Sequence, residues 1–252
     1  MNDLFGVADK VVVVTGGSRG IGRMIATGFA EAGARVYISS RKAEELQATA
    51  DEIGAVAIPA DLSTSEGCRS LAAAVTEREP AVHVLVNNAG AAWGAPLEEY
   101  PESAWDKVLA TNVKGPFLLT QALLGPLRAA AQPDDPARVI MIGSIEGFAV
   151  PLWTNYAYPA SKAAVHQMTR HLAADLAPDV TVNAIAPGLF PSKMTAFAFQ
   201  PGAEEEIVKH IPMHRAGRPS DMAGVAMFLA SAAASYVTGA VLPVDGGRTL
   251  RG

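Results

Sequence analysis

The sequence predicts one α/β domain: a doubly wound parallel sheet with helices on both faces. Three observations predict it. Short β-branched runs recur along the chain and alternate with stretches of helical period. The runs are almost continuously apolar, as strands covered on both faces must be. The first run passes through a glycine-rich turn straight into a helical stretch, the opening of a βαβ unit. With 252 residues, 50% of them hydrophobic, the chain can bury one large core. No linker, repeat or low-complexity segment divides it, so a single domain over 1–252 is expected.

Composition excludes several classes. A net charge of −5 and the lack of a Lys/Arg cluster argue against nucleic acid as a partner. No run approaches the roughly 18 to 20 apolar residues that span a bilayer. The N-terminal segment has neither the basic start nor the apolar stretch of a signal peptide. A soluble, cytoplasmic protein is expected. The lone cysteine, Cys68, has no disulfide partner and reads as a buried structural thiol. His210 and His214 stand four apart, but Pro212 lies between them and no further ligand completes a site, so no metal is expected. Glu98, Glu99, Glu102 and the glutamates 204–206 read as solvated helix faces.

In chain order, the first strand is 11–14, and "TGGSRGIG" follows it with Gly16, Gly20 and Gly22 spaced G-x-x-x-G-x-G. Such a turn lets a pyrophosphate approach the N–H groups and positive dipole end of the next helix. Ile21, Met24, Ile25, Gly28, Phe29 and Ala32 mark one face of that helix. Further strands are expected at 35–39, 55–58, 82–86, 138–142, 180–185 and 241–244. The segment 132–138, "QPDDPAR", is a surface turn. From Pro187 to about 203 the chain is irregular, yet Phe190, Met194, Phe197 and Phe199 predict order, and a lid over about 188–215 is expected.

"NYAYPASK" holds two tyrosines and a lysine. On a helix Tyr158 and Lys162 share a face at i and i+4. Tyr156 falls about 240° away from Lys162. Pro159 suits a helix start. Tyr158 is therefore the candidate acid, and Tyr156 packing or pocket wall. Ser144 lacks the G-x-S-x-G elbow of hydrolases.

These motifs, in this order, resemble the short-chain dehydrogenase/reductase family: Thr15 to Gly22, "NNAG" with Asn88 and Gly90, Asn112, Ser144, Tyr158-x-x-x-Lys162, "PG" (Pro187, Gly188) and "DGG". The resemblance spans nearly the whole chain. It implies a single-domain Rossmann-type sheet of about seven strands and a hydride transfer between a nicotinamide cofactor and a ketone or secondary alcohol. It assigns Tyr158 as acid and base, and Lys162 as the group that lowers the phenol pKa and holds the nicotinamide ribose. By the same resemblance Ser144 bonds the substrate oxygen and Asn112 positions a proton-supplying water chain. Gly16, Ser18, Arg19, Gly20, Ile21, Gly22, Asp61, Leu62, Asn88, Gly90, Pro187, Gly188 and Phe190 match its cofactor contacts, together with Ser40 and Arg41. A homodimer or homotetramer is usual in the family, through the Asp106 and Ser161 helices.

NAD enzymes place an acid at the end of the second strand; this chain has Ser40, Arg41 and Lys42 there, with Arg19 in the glycine turn. Guanidiniums suit a 2′-phosphate, so NADP(H) is expected. Trp93, Phe148, Leu152 and Trp153 add apolar wall to the expected pocket. Within the family the chain resembles bacterial 3-oxoacyl reductases, including the type linked to rhamnolipid precursors, and a hydrophobic 3-oxoacyl ester or thioester is the expected substrate. Ala174 and the acidic "PDDP" turn stand where carrier-protein enzymes keep arginines, which points to a free or coenzyme A-borne substrate. Another apolar ketone, or a non-catalytic NADP-binding regulator, are the alternatives.

Overall fold

The computed structural model describes residues 4–151 and 153–250. Seven strands, β1 (Val11–Thr15), β2 (Arg35–Ser39), β3 (Val56–Ala57), β4 (Val84–Asn87), β5 (Ala137–Ile142), β6 (Val180–Pro187) and β7 (Val241–Val244), form one parallel sheet. Their order is β3-β2-β1-β4-β5-β6-β7. Each expected strand is present. β3 is shorter than the 55–58 expected, because at the sheet edge it pairs only with Tyr37 and Ile38 of β2.

The helices are α1 (Gly20–Glu31), α2 (Ala43–Ile53), α3 (Ser65–Thr76), α4 (Glu102–Leu109), α5 (Gly115–Ala122), α6 (Leu124–Ala130), α7 (Ala157–Leu176), α8 (Ala203–Val208) and α9 (Pro219–Ala230). Alternating strand residues feed two separate cores. Val11 and Val13 join Leu85, Val139 and Val182 beneath residues of α3, α5, α6 and α7. Val12 and Val14 join Ile38, Val86 and Ile140 beneath Ile25 and Phe29 of α1 and Met222 and Leu229 of α9. This two-sided burial is why the strands read as unbroken apolar runs. Truncating a fully buried side chain such as Phe29 to alanine costs about 3 to 5 kcal/mol. α1 and α9 cross closely because Gly28 has no Cβ; an added one would stand 2.5 Å from the Ala223 Cβ.

Strand order reverses between β1 and β4, so the loops that follow them part and leave a crevice at the carboxyl ends. α4 passes into α5 through a wider turn, Ala110–Lys114, which carries Asn112 inward. Cys68 is fully buried in α3, and burial pushes its thiol up. Asp135 of the 132–138 turn pairs with Lys10 and Arg138, each at 2.8 Å. Beyond β6 the 188–215 segment carries a short turn, Ala196–Phe199, and α8. Among the described residues no helix is long and apolar enough to cross a membrane, and no cluster of three metal-ligating side chains occurs.

Candidate active site

The glycine turn sits where the two halves of the sheet part. Gly16 and Gly20 take left-handed φ angles of 65° and 54°, which side-chain-bearing residues rarely adopt. Asn88, after β4, spans the crevice: its Nδ2 donates to the Thr15 carbonyl at 2.8 Å and the Gly16 carbonyl at 3.2 Å. Thr15 Oγ1 accepts from the Asn88 and Ala89 N–H groups, both at 2.9 Å. A Cβ at Gly22 would collide with Asn88 Nδ2 and the Gly16 oxygen. Asn88 therefore braces the turn from beneath. Thr64 caps α3, but no side chain caps α1. An uncapped helix start behind a glycine turn fits a pyrophosphate.

The end of β2 adds a second sign of fit. Ser39 Oγ and Ser40 Oγ are buried and have no partner. An orphaned hydroxyl at this point of the fold suits a ribose substituent. Arg19 pairs with Glu45 at 3.4 Å, Lys42 with Glu45 at 3.8 Å, and Ser18 Oγ donates to the same carboxylate at 3.3 Å. Glu45 thus draws on the cations expected for a 2′-phosphate. Asp61 closes its own turn by accepting from Ser63 N at 3.0 Å and Ser63 Oγ at 2.8 Å. Leu62 lies in the core. Gly188 packs on Asp245, where a Cβ would meet the Asp245 Cα at 2.7 Å. Phe190 is 2% exposed, with its ring packed against Gly217. A Cβ at Gly217 would stand 2.3 Å from that ring, so the glycine leaves the ring its space.

α7 starts as expected, with Tyr158 as its second residue and Lys162 one turn on. Lys162 is 5% exposed, and its Nζ donates to the Ile142 carbonyl at 2.7 Å. That carbonyl ends β5, two residues before Ser144, so the lysine ties the tyrosine helix to the serine strand. Burial pushes the Lys162 pKa down to about 8, against an upward pull from Glu146. Burial raises the Tyr158 pKa, the Glu146 charge raises it further, and the nearby Ser144 hydroxyl opposes both. Burial is the largest influence, and it runs against the lowering expected from Lys162. The Lys162 ammonium lies 5.4 Å from the ring centroid and is bonded to a carbonyl, while the carboxylate of Glu146 acts on the phenol.

Asn112 is held at both ends. Its Oδ1 accepts from Ala91 N at 2.8 Å, and its Nδ2 donates to the Ala91 carbonyl and Ser161 Oγ, both at 2.9 Å. Ser161 Oγ donates in turn to the Tyr158 carbonyl at 2.6 Å. Tyr156 points elsewhere, edge-on to Tyr100 at 5.3 Å between centroids. Trp153 packs edge-on to Phe197 at 5.0 Å, and Trp93, Phe148, Met194 and Phe197 are all exposed. Leu152 lies outside the described residues.

The sequence reading gave no role in the site to Glu45, Glu146, Asn155, Ser161 or His166. Asn155 and Ser161 stood inside the quoted segment of residues 155–162, and Glu146 two residues after Ser144. No sequence signal marked Glu45 or His166.

A crevice that fits a dinucleotide, with a serine, a tyrosine and a lysine at its mouth, belongs to a class of oxidoreductases. The chain matches a family model described as enoyl-(acyl carrier protein) reductase over residues 16–249. It belongs to the short-chain dehydrogenase/reductase family. It is 50% identical to the rhamnolipids biosynthesis 3-oxoacyl-[acyl-carrier-protein] reductase of Pseudomonas aeruginosa, over 98% of this chain and 99% of that one. It is 40% identical to a galactitol 2-dehydrogenase (L-tagatose-forming) of Cereibacter sphaeroides, over 98% of each chain. Among solved structures, the Pseudomonas aeruginosa RhlG/NADP active-site complex superposes with a TM-score of 0.95 at 49% identity, covering 98% of this chain and 99% of that one.

Proposed function

We propose that the protein reduces a ketone to a secondary alcohol with NADPH, and that its ketone is a hydrophobic 3-oxoacyl thioester. The observation that carries this reading is the convergence of Tyr158, Ser144 and Lys162, with Lys162 bonding the helix it shares with Tyr158 to the strand end two residues before Ser144. The cofactor likeness to the NADP complex, the orphaned Ser40 hydroxyl and the missing acid after β2 support NADPH over NADH. Gly16, Ser18, Arg19, Gly20, Ile21 and Gly22 would hold the phosphates, Ser40 and Arg41 the 2′-phosphate, and Asp61, Leu62, Asn88, Gly90, Pro187, Gly188 and the Phe190 backbone the rest.

A bound nicotinamide supplies the hydride. Tyr158 gives its proton to the carbonyl oxygen and, in the reverse direction, takes it back. Burial and Glu146 keep the phenol protonated at neutral pH, and the Lys162 ammonium, 5.4 Å from the ring centroid, favours the phenolate left when the proton is given. Ser144 donates to the same substrate oxygen and fixes its position beside the phenol. Lys162 keeps one N–H on Ile142 and has two left for ribose hydroxyls. Asn112, fixed by Ala91 and Ser161, orients the water chain that returns a proton to the tyrosine.

The wall favours apolar chains. Trp93, Phe148, Trp153, Met194 and Phe197 offer rings and a thioether where a sugar would need paired polar groups. The 188–215 segment, touching Trp153 through Phe197, acts as a lid. Localisation in the cytoplasm and assembly as a homodimer or homotetramer belong to the same reading, with Trp105, Leu109 and Phe117 of α4 and α5 exposed for a second copy.

An NADPH-oxidation assay tests it, with acetoacetyl and medium-chain 3-oxoacyl groups on coenzyme A and on acyl carrier protein, and with keto sugars. Rates should rise with chain length, each buried methylene adding up to about 0.8 kcal/mol, roughly fourfold in kcat/KM. Equal rates on short and long chains, or preference for the sugars, would contradict it.

A further inference from the structure

We propose that Glu146 is a positioning residue of this reaction, tying the Ser144 turn to the Trp153 wall and to the residue that delivers Tyr158. The inference rests on Tyr158 as the acid. Glu146 Oε1 accepts from Trp153 Nε1 at 2.6 Å, and its Oε2 accepts from Asn155 Nδ2 at 2.8 Å. One carboxylate therefore closes the loop between Ser144 and Tyr158 from within. Both attachments lead to the site. Its own N–H donates to Ser144 Oγ at 3.1 Å, so the carboxylate and the serine share one turn. The Asn155 carbonyl accepts from Tyr158 N at 2.9 Å, at the start of α7. Trp153 in turn meets Phe197 of the proposed lid edge-on, at 5.0 Å between centroids.

Asn155 is buried, and its Oδ1 has no partner, so the bond to Glu146 is what anchors its amide. Charge-assisted bonds of this kind are about twice as strong as neutral ones. The carboxylate also acts through space. The titratable groups around it are Tyr158 and Lys162 on α7, and its charge pulls the pKa of both upward; His166, one turn beyond, feels Lys162 and Arg170 instead. Glu146 therefore has two effects on catalysis, a shape effect at the pocket wall and a charge effect at the phenol.

The two effects separate by substitution. Glu146→Gln removes the charge and leaves only one good acceptor. Trp153→Phe keeps a ring against Phe197 and the charge of Glu146, but removes the indole donor. Each is compared with wild type and Tyr158→Phe for NADPH affinity, for kcat and KM on a medium-chain 3-oxoacyl-coenzyme A, and for the pH profile of reduction. Glu146→Gln should lower kcat/KM about tenfold, chiefly through KM, as loss of a charge-assisted bond does. Its basic limb should move to lower pH, because Lys162, held at about 8 with Glu146 pulling it up, loses its proton more easily without the neighbouring charge. Trp153→Phe should raise KM without moving the basic limb. NADPH affinity should change less than about twofold in both, since neither residue touches the glycine turn or β2. A Glu146→Gln enzyme with unchanged KM and an unmoved basic limb would overturn the proposal, as would a Trp153→Phe enzyme with unchanged KM. Full activity in Tyr158→Phe would instead overturn the underlying reading, and the panel tells the two failures apart.

Discussion

The Lys162 ammonium lies 5.4 Å from the centroid of the Tyr158 ring and donates to the Ile142 carbonyl at 2.7 Å. One side chain thus joins the helix that carries the tyrosine to the strand that leads to Ser144. We predict that Lys162→Met lowers turnover about a hundredfold or more, by disturbing acid–base catalysis, and weakens NADPH. Stability should change little, because losing a partner for Ile142 is offset by removing a buried charge. Steady-state kinetics beside thermal melting check this. A variant inactive only because it is unfolded at the assay temperature would contradict it.

Glu45 sets a second expectation, for the cofactor. It draws Arg19, Lys42 and Ser18 toward itself at the place proposed for the 2′-phosphate. NADPH should bind about tenfold or more tightly than NADH, as charge-assisted bonds to a phosphate imply. Arg41→Ala should weaken NADPH and spare NADH, and adding Ser40→Asp should reverse the order. Glu45→Gln should tighten NADPH alone by freeing Arg19, and added salt should shrink the preference. Fluorescence titration of both cofactors reads all of these. Equal dissociation constants in wild type would show that these cations are surface groups only.

Local patterns carried most of the reading from sequence. The apolar strands, the glycine turn and the four-residue spacing of Tyr158 and Lys162 are written in neighbouring residues, and each appears where expected. Tertiary contacts were not legible. Glu45 lies 26 residues from Arg19, and the pair meets only because β2 lies beside β1. Glu146 looked like part of a serine motif, although its partners are set by how the loop before α7 folds back. The wide turn at Asn112 has no spacing signature, and the inward turn of Phe190 depends on Gly217. The burial of Tyr158 and the nearness of Glu146, which work against the lowering expected from Lys162, depend on how the loop before α7 folds and had no signature in the spacing.

His166 makes a prediction about pH. It is 2% exposed, neither ring nitrogen has a partner, and glycines at 143 and 147 leave it room. Burial, reinforced by Lys162 and Arg170, pushes its pKa down to about 4 from 6.5. The folded chain therefore favours the neutral ring, while the unfolded chain takes a proton first as pH falls. The stability is complete above 6.5 and is lost as pH drops through about 4. The loss amounts to roughly 3 kcal/mol at most. Urea unfolding across this range should show the decline, and His166→Gln should flatten it. An equally steep decline in His166→Gln would assign the effect to other groups.

The central claim is that Tyr158, and not Tyr156, gives the proton. Tyr158 shares a helix face with Lys162, and Ser144 pulls its pKa down against burial, whereas Tyr156 is turned edge-on to Tyr100. Single-turnover NADPH oxidation with a medium-chain 3-oxoacyl-coenzyme A, run on Tyr158→Phe and Tyr156→Phe beside wild type, tests it most directly. The account predicts that Tyr158→Phe loses at least about a hundredfold in rate, the scale of a missing general acid, while still binding NADPH. Tyr156→Phe should keep most of the wild-type rate. A dead Tyr156→Phe beside an active Tyr158→Phe would contradict the account.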